Sequence, residues 1–178
     1  MNILSFLIKK IKYKIADSTP QRRIEYIRKQ GGKIGSNTKL LSNIRCFGTE
    51  PYLVDVGNNC LISGSVSFIT HDGSMNVLNN LGLFEKPMDK MRPIKVGDNC
   101  FIGISVIIMP GVTIGNNCII GAGSVVTKDV PDGMCVAGVP ARIICTIYEY
   151  AEKNKPYFYP TRGLGSKEKK EYLIKQIR

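Results

Sequence analysis

From Val96 the chain can be written in sixes: VGDNCF, IGISVI, IMPGVT, IGNNCI, IGAGSV, VTKDVP. Val96, Ile102, Ile108, Ile114, Ile120 and Val126 each open a block, and the fifth place holds a small or branched residue: Cys100, Val106, Val112, Cys118, Ser124, Val130. The same frame runs from Val56 through VGNNCL, ISGSVS and FITHDG, and more weakly from Ile34 through IGSNTK and LLSNIR. Such a period suits neither an amphipathic helix nor an alternating strand. It suits a short extended side followed by a turn, repeated into a coil. Aliphatic first positions point inward, while Gly, Asn and Asp take corners that need unusual backbone angles. One coil cannot bury its own interior, so coils must stack into a solenoid. An ordinary β-sandwich of short strands would not keep so regular a period.

Charge is confined to the ends. The net charge is +11, yet residues 34–145 hold eight basic and eight acidic residues, whereas residues 1–33 hold nine basic and two acidic. No nucleic-acid-binding signature accompanies the basic ends, so no nucleic acid is expected as a partner. Six cysteines, at 46, 60, 100, 118, 135 and 145, form no C-x-x-C pair and no zinc spacing. Reduced thiols and a cytoplasmic address follow. The opening MNILSFLIKKIKYK has its apolar run before its lysines and no small-residue cleavage site, which argues against a signal peptide. That run is also too short for a bilayer span of ~20 residues.

Leu4, Ile8, Ile11 and Ile15 share one face of an expected helix over residues 3–15, with Lys9, Lys10, Lys12 and Lys14 around it. A second helix is expected with Ser18 or Thr19 as cap and Pro20 in its first turn. These helices either cap the open end of the solenoid or, through residues 1–16, make peripheral contact with a membrane surface. Three parts result: a helical cap at 1–33, the repeat domain at 34–145 with an excursion at 74–95, and an extension with a helix at 146–178.

The run FIGISVIIMPGVTIGNNCIIGAGSVVTKDVPDGMCVAGVPARII at 101–144 resembles the hexapeptide-repeat acyltransferases, in particular the sugar O-acetyltransferases. The resemblance implies a mainly β fold: a left-handed parallel β-helix, three sixes per coil, with short terminal helices and one long excursion loop. Cys100 and Cys118, one coil apart, should then stack, and Cys60 should join them once the excursion is removed. A metal or a disulfide would fit such a column, but small buried fillers fit it better. In such enzymes the excursion reaches towards a neighbouring subunit, so Leu78, Leu81, Leu83 and Phe84 should pack rather than face water. A homotrimer with sites between subunits is implied by the same resemblance.

His71 is the only histidine. Alone it would more often be incidental, but in the resembling enzymes the catalytic histidine sits in the matching place, just before the loop. There an imidazole acts as general base on the acceptor hydroxyl. Its orienting group is left open between Asp72, Asp55 and a backbone carbonyl. Side chains adjacent on an extended segment point apart, which weakens Asp72. The resemblance also assigns acetyl-CoA contacts to Gly103, Ile104 and Ala122 for the pantetheine arm and to Thr127, Lys128 and Arg142 for the phosphates. Many relatives have serine where this chain has Ile104.

The resulting expectation is an acetyl-CoA-dependent O-acetyltransferase acting on a saccharide, without a metal. Its alternatives are N-acetylation of an amino sugar or sugar nucleotide, and a non-catalytic scaffold. A zinc carbonic anhydrase of this architecture needs three histidine ligands, which a single histidine excludes.

Overall fold

The computed structural model describes residues 3–177, and for residues 3–6 and 9 the backbone only. The Leu4 and Lys9 side chains of the expected amphipathic face therefore lie outside the described residues, as do residues 1, 2 and 178. The chain divides into two compact units, Met1–Ile147 and Tyr148–Arg178.

The first unit begins with α1 (Ile3–Ala16) and α2 (Pro20–Lys29), the latter capped by Thr19 with Pro20 in its first turn. Short strands follow: β1 (Lys33–Ile34), β2 (Lys39–Leu40), β3 (Val54–Val56), β4 (Leu61–Ile62) and β5 (Ser67–Phe68). An excursion carrying α3 (Met75–Asn80) leads back to β6 (Ile94–Val96), β7 (Phe101–Ile102), β8 (Ile107–Ile108), β9 (Thr113–Ile114), β10 (Ile119–Ile120) and β11 (Val125–Val126). β12 (Met134–Gly138) and β13 (Ala141–Thr146) complete the unit's strands, and Ile147 is its last residue; the rest of α4 (Ile147–Asn154) and α5 (Ser166–Ile177) belong to the second unit.

The strands stack in parallel on three sides. One sheet runs β1-β3-β6-β9, the next β2-β4-β7-β10-β12, and the third β5-β8-β11. Register follows the repeat: Leu40 pairs with Ile62, Ile62 with Ile102, Ile102 with Ile120 and Ile120 with Val136. Every one of these stacked residues is buried, as are Phe68, Ile108 and Val126 on the third side. Hydrophobic stripes along the solenoid axis therefore hold the coils together, at about 1.5–3 kcal/mol per buried aliphatic side chain.

Cys60, Cys100 and Cys118 do form one buried column. Their thiols donate to corner carbonyls of the neighbouring coil, Cys60 to Gly97 at 3.1 Å, Cys100 to Gly115 at 3.0 Å and Cys118 to Pro131 at 3.1 Å. All six thiols are free, and no metal-holding group of His, Cys, Asp or Glu occurs among the described residues.

Corners divide their labour between torsion, at the asparagines and at Gly111 and Gly123, and clearance. Asn37, Asn59, Asn99 and Asn117 take the left-handed backbone, with φ of 55–57°. The glycine after each aliphatic residue serves close stacking instead: a Cβ on Gly57 would lie 2.6 Å from the Gly97 carbonyl oxygen.

The first coil is longer than the others. Ile34 pairs with Val56, a step of 22 residues, where Val96 to Ile114 takes 18. The additional residues build two single-turn 3-10 helices on the third side, Ile44–Phe47 and Pro51–Leu53. α2 lies over the β1/β2 end, with Ile27 fully buried. Arg28 donates to the carbonyl of Ile34, and Arg23 to those of Leu40 and Leu41.

The outer rows of the three sides differ in character. The β1-β3-β6-β9 row is polar, with Lys33, Asp55, Lys95 and Thr113. The other two are mostly apolar: after Lys39 one presents Leu61, Phe101 and Ile119, and after Ser67 the other presents Ile107 and Val125, with Ile104 55% exposed at the corner between them.

Candidate active site

His71 stands at the corner after β5, where the chain leaves the solenoid. Antiparallel pairing closes the neck of the excursion: His71 bridges Met91, Asp72 N donates to Lys90 O at 3.1 Å, and Arg92 N donates to Thr70 O at 2.9 Å. The backbone that carries the imidazole is thus held to the rigid coil on one side and to the loop's return on the other.

Glu50 lies one coil below. Its side chain is 11% exposed, and its Oε2 lies 2.9 Å from His71 Nδ1 and accepts from the Thr70 hydroxyl at 2.9 Å. The Thr49 hydroxyl donates to Oε1. Hydrogen bonds from Thr49, and then from His71 and Thr70, outweigh burial and hold the Glu50 carboxyl below the usual carboxylate range. A carboxylate can only accept, so Nδ1 carries the proton in this contact, and the tautomer it selects for a neutral ring is the one with the lone pair on Nε2. With half of the His71 side chain exposed, an acceptor hydroxyl can approach the ring.

Both acids considered from the sequence are otherwise engaged. Asp72 accepts from Ser74 N at 2.9 Å and from Lys90 Nζ at 3.0 Å, and these contacts pull its carboxyl down to about 2. Asp55 lies on the polar outer row and pairs with Lys33 at 3.3 Å. Glu50 replaces them as the partner of His71. The reason is geometric: a coil corner is approached from the coil below, not from the next residue.

The expected acetyl-CoA residues occupy two edges of the third side. Gly103, Ile104 and Ala122 lie at the corner entering it. There Gly103 N donates to Ile120 O at 2.9 Å, and Gly123 N to Ile104 O at 2.8 Å. A Cβ on Gly103 would come 2.6 Å from Ala122 N, so only glycine lets these turns close. Arg142 pairs across β12–β13 with Ala137, which stacks on Gly121 at that same corner. Thr127 and Lys128 are exposed at the other edge, following β11 as Ile69 and Thr70 follow β5. An apolar, backbone-rich corner with an arginine at its end suits a pantetheine arm and its phosphates. Within one chain it is separated from His71 by the width of the β5-β8-β11 side.

Two further residues frame the corner. Thr70, 1% exposed, fixes Glu50, and the Arg92 guanidinium lies over Gly111, where a Cβ would meet its Cζ at 2.3 Å. In the excursion, Leu78 is half-buried, whereas Leu81, Leu83 and Phe84 face solvent in the single chain and pack against nothing within it. A polar clamp from Asn79 to both backbone groups of Met88, at 2.9 Å each, holds the loop without their help.

Residues 93–128 match the model of the bacterial transferase hexapeptide family, described as six repeats. Protein CapG of Staphylococcus aureus is 44% identical over 156 residues, covering 85% of this chain and 87% of that protein. The galactoside O-acetyltransferase of Escherichia coli K12 is 36% identical over 131 residues, 72% of this chain and 60% of the relative. Among solved structures, a maltose O-acetyltransferase from Clostridium difficile 630 superposes with a TM-score of 0.55 at 26% identity, covering 77% of this chain and 83% of the other.

Proposed function

As the chain belongs to the bacterial hexapeptide-repeat transferase family, we propose that it is an acetyl-CoA-dependent O-acetyltransferase acting on a saccharide. Residues 34–145 form the catalytic unit, wound as a left-handed coil. The observation that carries the mechanism is the 2.9 Å contact between His71 Nδ1 and Glu50.

His71 Nε2 takes the proton of the acceptor hydroxyl as its oxygen attacks the thioester carbonyl. Glu50 holds the ring in the required tautomer and stabilises the imidazolium while it lasts. His71 then returns the proton to the departing thiolate sulfur. Backbone groups at Gly103–Ile104 and Ala122 align the pantetheine arm, and Thr127, Lys128 and Arg142 meet the phosphates. The chemistry needs no metal.

Two features support active sites between copies, three to an assembly. His71 and the Ile104 corner lie on opposite edges of one chain, so a neighbour's edge must complete each site. The apolar outer rows and the exposed loop residues Leu81, Leu83 and Phe84 supply surface for that contact. A cytoplasmic address accords with acetyl-CoA as co-substrate.

The test is CoA release with a panel of saccharides for the wild type and His71→Ala, alongside acetyl-CoA binding by calorimetry. The variant should bind acetyl-CoA as before and lose about 10²–10⁴ in kcat. Undiminished turnover would remove His71 from the mechanism, and no binding by the wild type would remove acetyl-CoA.

A further inference from the structure

α1 (Ile3–Ala16) carries two faces with different fates. Tyr13 and Ala16 turn inward and pack against the core. Tyr13 meets the Tyr26 ring edge-on at 5.9 Å, and the Arg45 guanidinium sits 5.5 Å from its centroid. Just beyond the helix, Asp17 ties the turn down by accepting from Arg23 and from Ile44 N, both at 3.0 Å. These anchors fix the rotation of α1 about its axis. Leu7, Ile8, Ile11 and Ile15 therefore face outward, and all are exposed.

At ~100° per residue these four fall within an arc of about 100°. Lys12 borders the arc on one side, and Lys14 and Lys10 border it on the other; all three are exposed. Residues 1–16 hold four lysines and no acid. α5 differs, interleaving four lysines with two glutamates. An apolar stripe bordered by cations on both flanks matches the boundary between acyl chains and anionic headgroups, where lysine stems lie along the apolar layer and their ammonium groups reach phosphate. A second copy of the chain fits worse. Pairing this face with itself would set lysines against lysines, and protein interfaces are poor in lysine. The helix is too short to cross a bilayer, and no helix among the described residues is long and apolar enough to do so.

We propose that α1 docks in the plane of an anionic phospholipid surface, inserting Leu7, Ile8, Ile11 and Ile15 and placing Lys12 and Lys14 at the headgroups. This rests on α1 alone and stands apart from acetyl transfer. The test is flotation of the full chain with phosphatidylcholine vesicles made with and without phosphatidylglycerol, over a range of salt, with oligomer mass followed by light scattering. The wild type should float with the anionic vesicles, much less with the neutral ones, and less as salt rises. Each lysine near such a surface contributes about fivefold, so Lys12→Gln with Lys14→Gln should weaken partitioning about 25-fold. Ile11→Asn with Ile15→Asn should abolish flotation while the circular dichroism and unfolding temperature stay those of the wild type. Failure of the wild type to float with anionic vesicles overturns the proposal, as does flotation of both variants equal to that of the wild type. A change of oligomer mass in the isoleucine variant, without vesicle binding by the wild type, would instead assign the face to another copy.

Discussion

Replacing Glu50 separates orientation of His71 from every other role of the corner. In Glu50→Ala the imidazole loses a charge-assisted hydrogen bond of 2.9 Å to a side chain that is 11% exposed. Such a bond contributes about 1.5–3 kcal/mol, which as a loss of transition-state stabilisation lowers kcat about 10- to 150-fold. Glu50→Gln keeps the shape and a neutral acceptor, so it should fall roughly five- to tenfold. KM for acetyl-CoA should not change, because Glu50 contacts none of the residues assigned to it. Stability moves separately. Alanine leaves the Thr70 hydroxyl, 1% exposed, without its acceptor, costing about 1–3 kcal/mol, whereas glutamine can still accept from it. The Glu50 carboxyl is held below its ordinary range, so its stabilising contribution is complete above the unfolded value of about 4.3 and disappears as pH falls through the lowered one. Wild type should therefore lose more stability than Glu50→Gln on acidification below about pH 4.3. Initial rates of CoA release and thermal unfolding across pH read both effects. A kcat for Glu50→Ala within twofold of wild type, in a folded protein, would refute the orienting role; so would a loss expressed only in KM for acetyl-CoA.

Gly103→Ala places a methyl group 2.6 Å from Ala122 N, which should destabilise the coil by about 1–3 kcal/mol in denaturant titration and weaken acetyl-CoA binding by calorimetry. Replacing Ile107 by aspartate puts a charge in the outer row beside Val125; sedimentation should show smaller assemblies, with activity lost in step. Thiol titration of the native protein should detect Cys145 rapidly and all six cysteines only after unfolding, since the other five are buried. Rapid reaction at the Cys60–Cys100–Cys118 column would contradict its packing.

The repeat made the solenoid legible because one physical demand, stacked aliphatic residues, recurs at each coil. The cysteine column followed from the same spacing. Glu50 did not, because it stands 21 residues before His71 rather than the 18 that aligned the cysteines. Phe47 and Phe68 stack with ring centroids 4.9 Å apart, and Glu50 follows the first as His71 follows the second. What hid this was the irregular first coil, where IRCFGTEPY breaks the frame into 3-10 turns. Asp72 drew attention by adjacency in sequence, which on an extended corner says little about adjacency in space. Corner glycines were legible only in part for a related reason: a six-residue pattern reports that a residue is small, not whether torsion requires it, as at Gly111 and Gly123, or clearance, as at Gly57. The fate of Leu81, Leu83 and Phe84 was not readable at all, since it depends on surface that one chain does not possess.

Parallel coils have no intrinsic reason to stop adding, and an open edge is a template for any passing strand. At the lower edge, Arg28 and Arg23 occupy the Ile34 and Leu40 carbonyls that a further coil would use. At the upper edge, β13 runs antiparallel to β12, so the next row no longer offers the direction that a repeat requires. Both ends of the β2-β4-β7-β10-β12 side are thus closed to a further parallel strand, one by a guanidinium group and one by a reversed strand. Growth along the axis is hindered there, which leaves lateral contacts as the readier route to assembly.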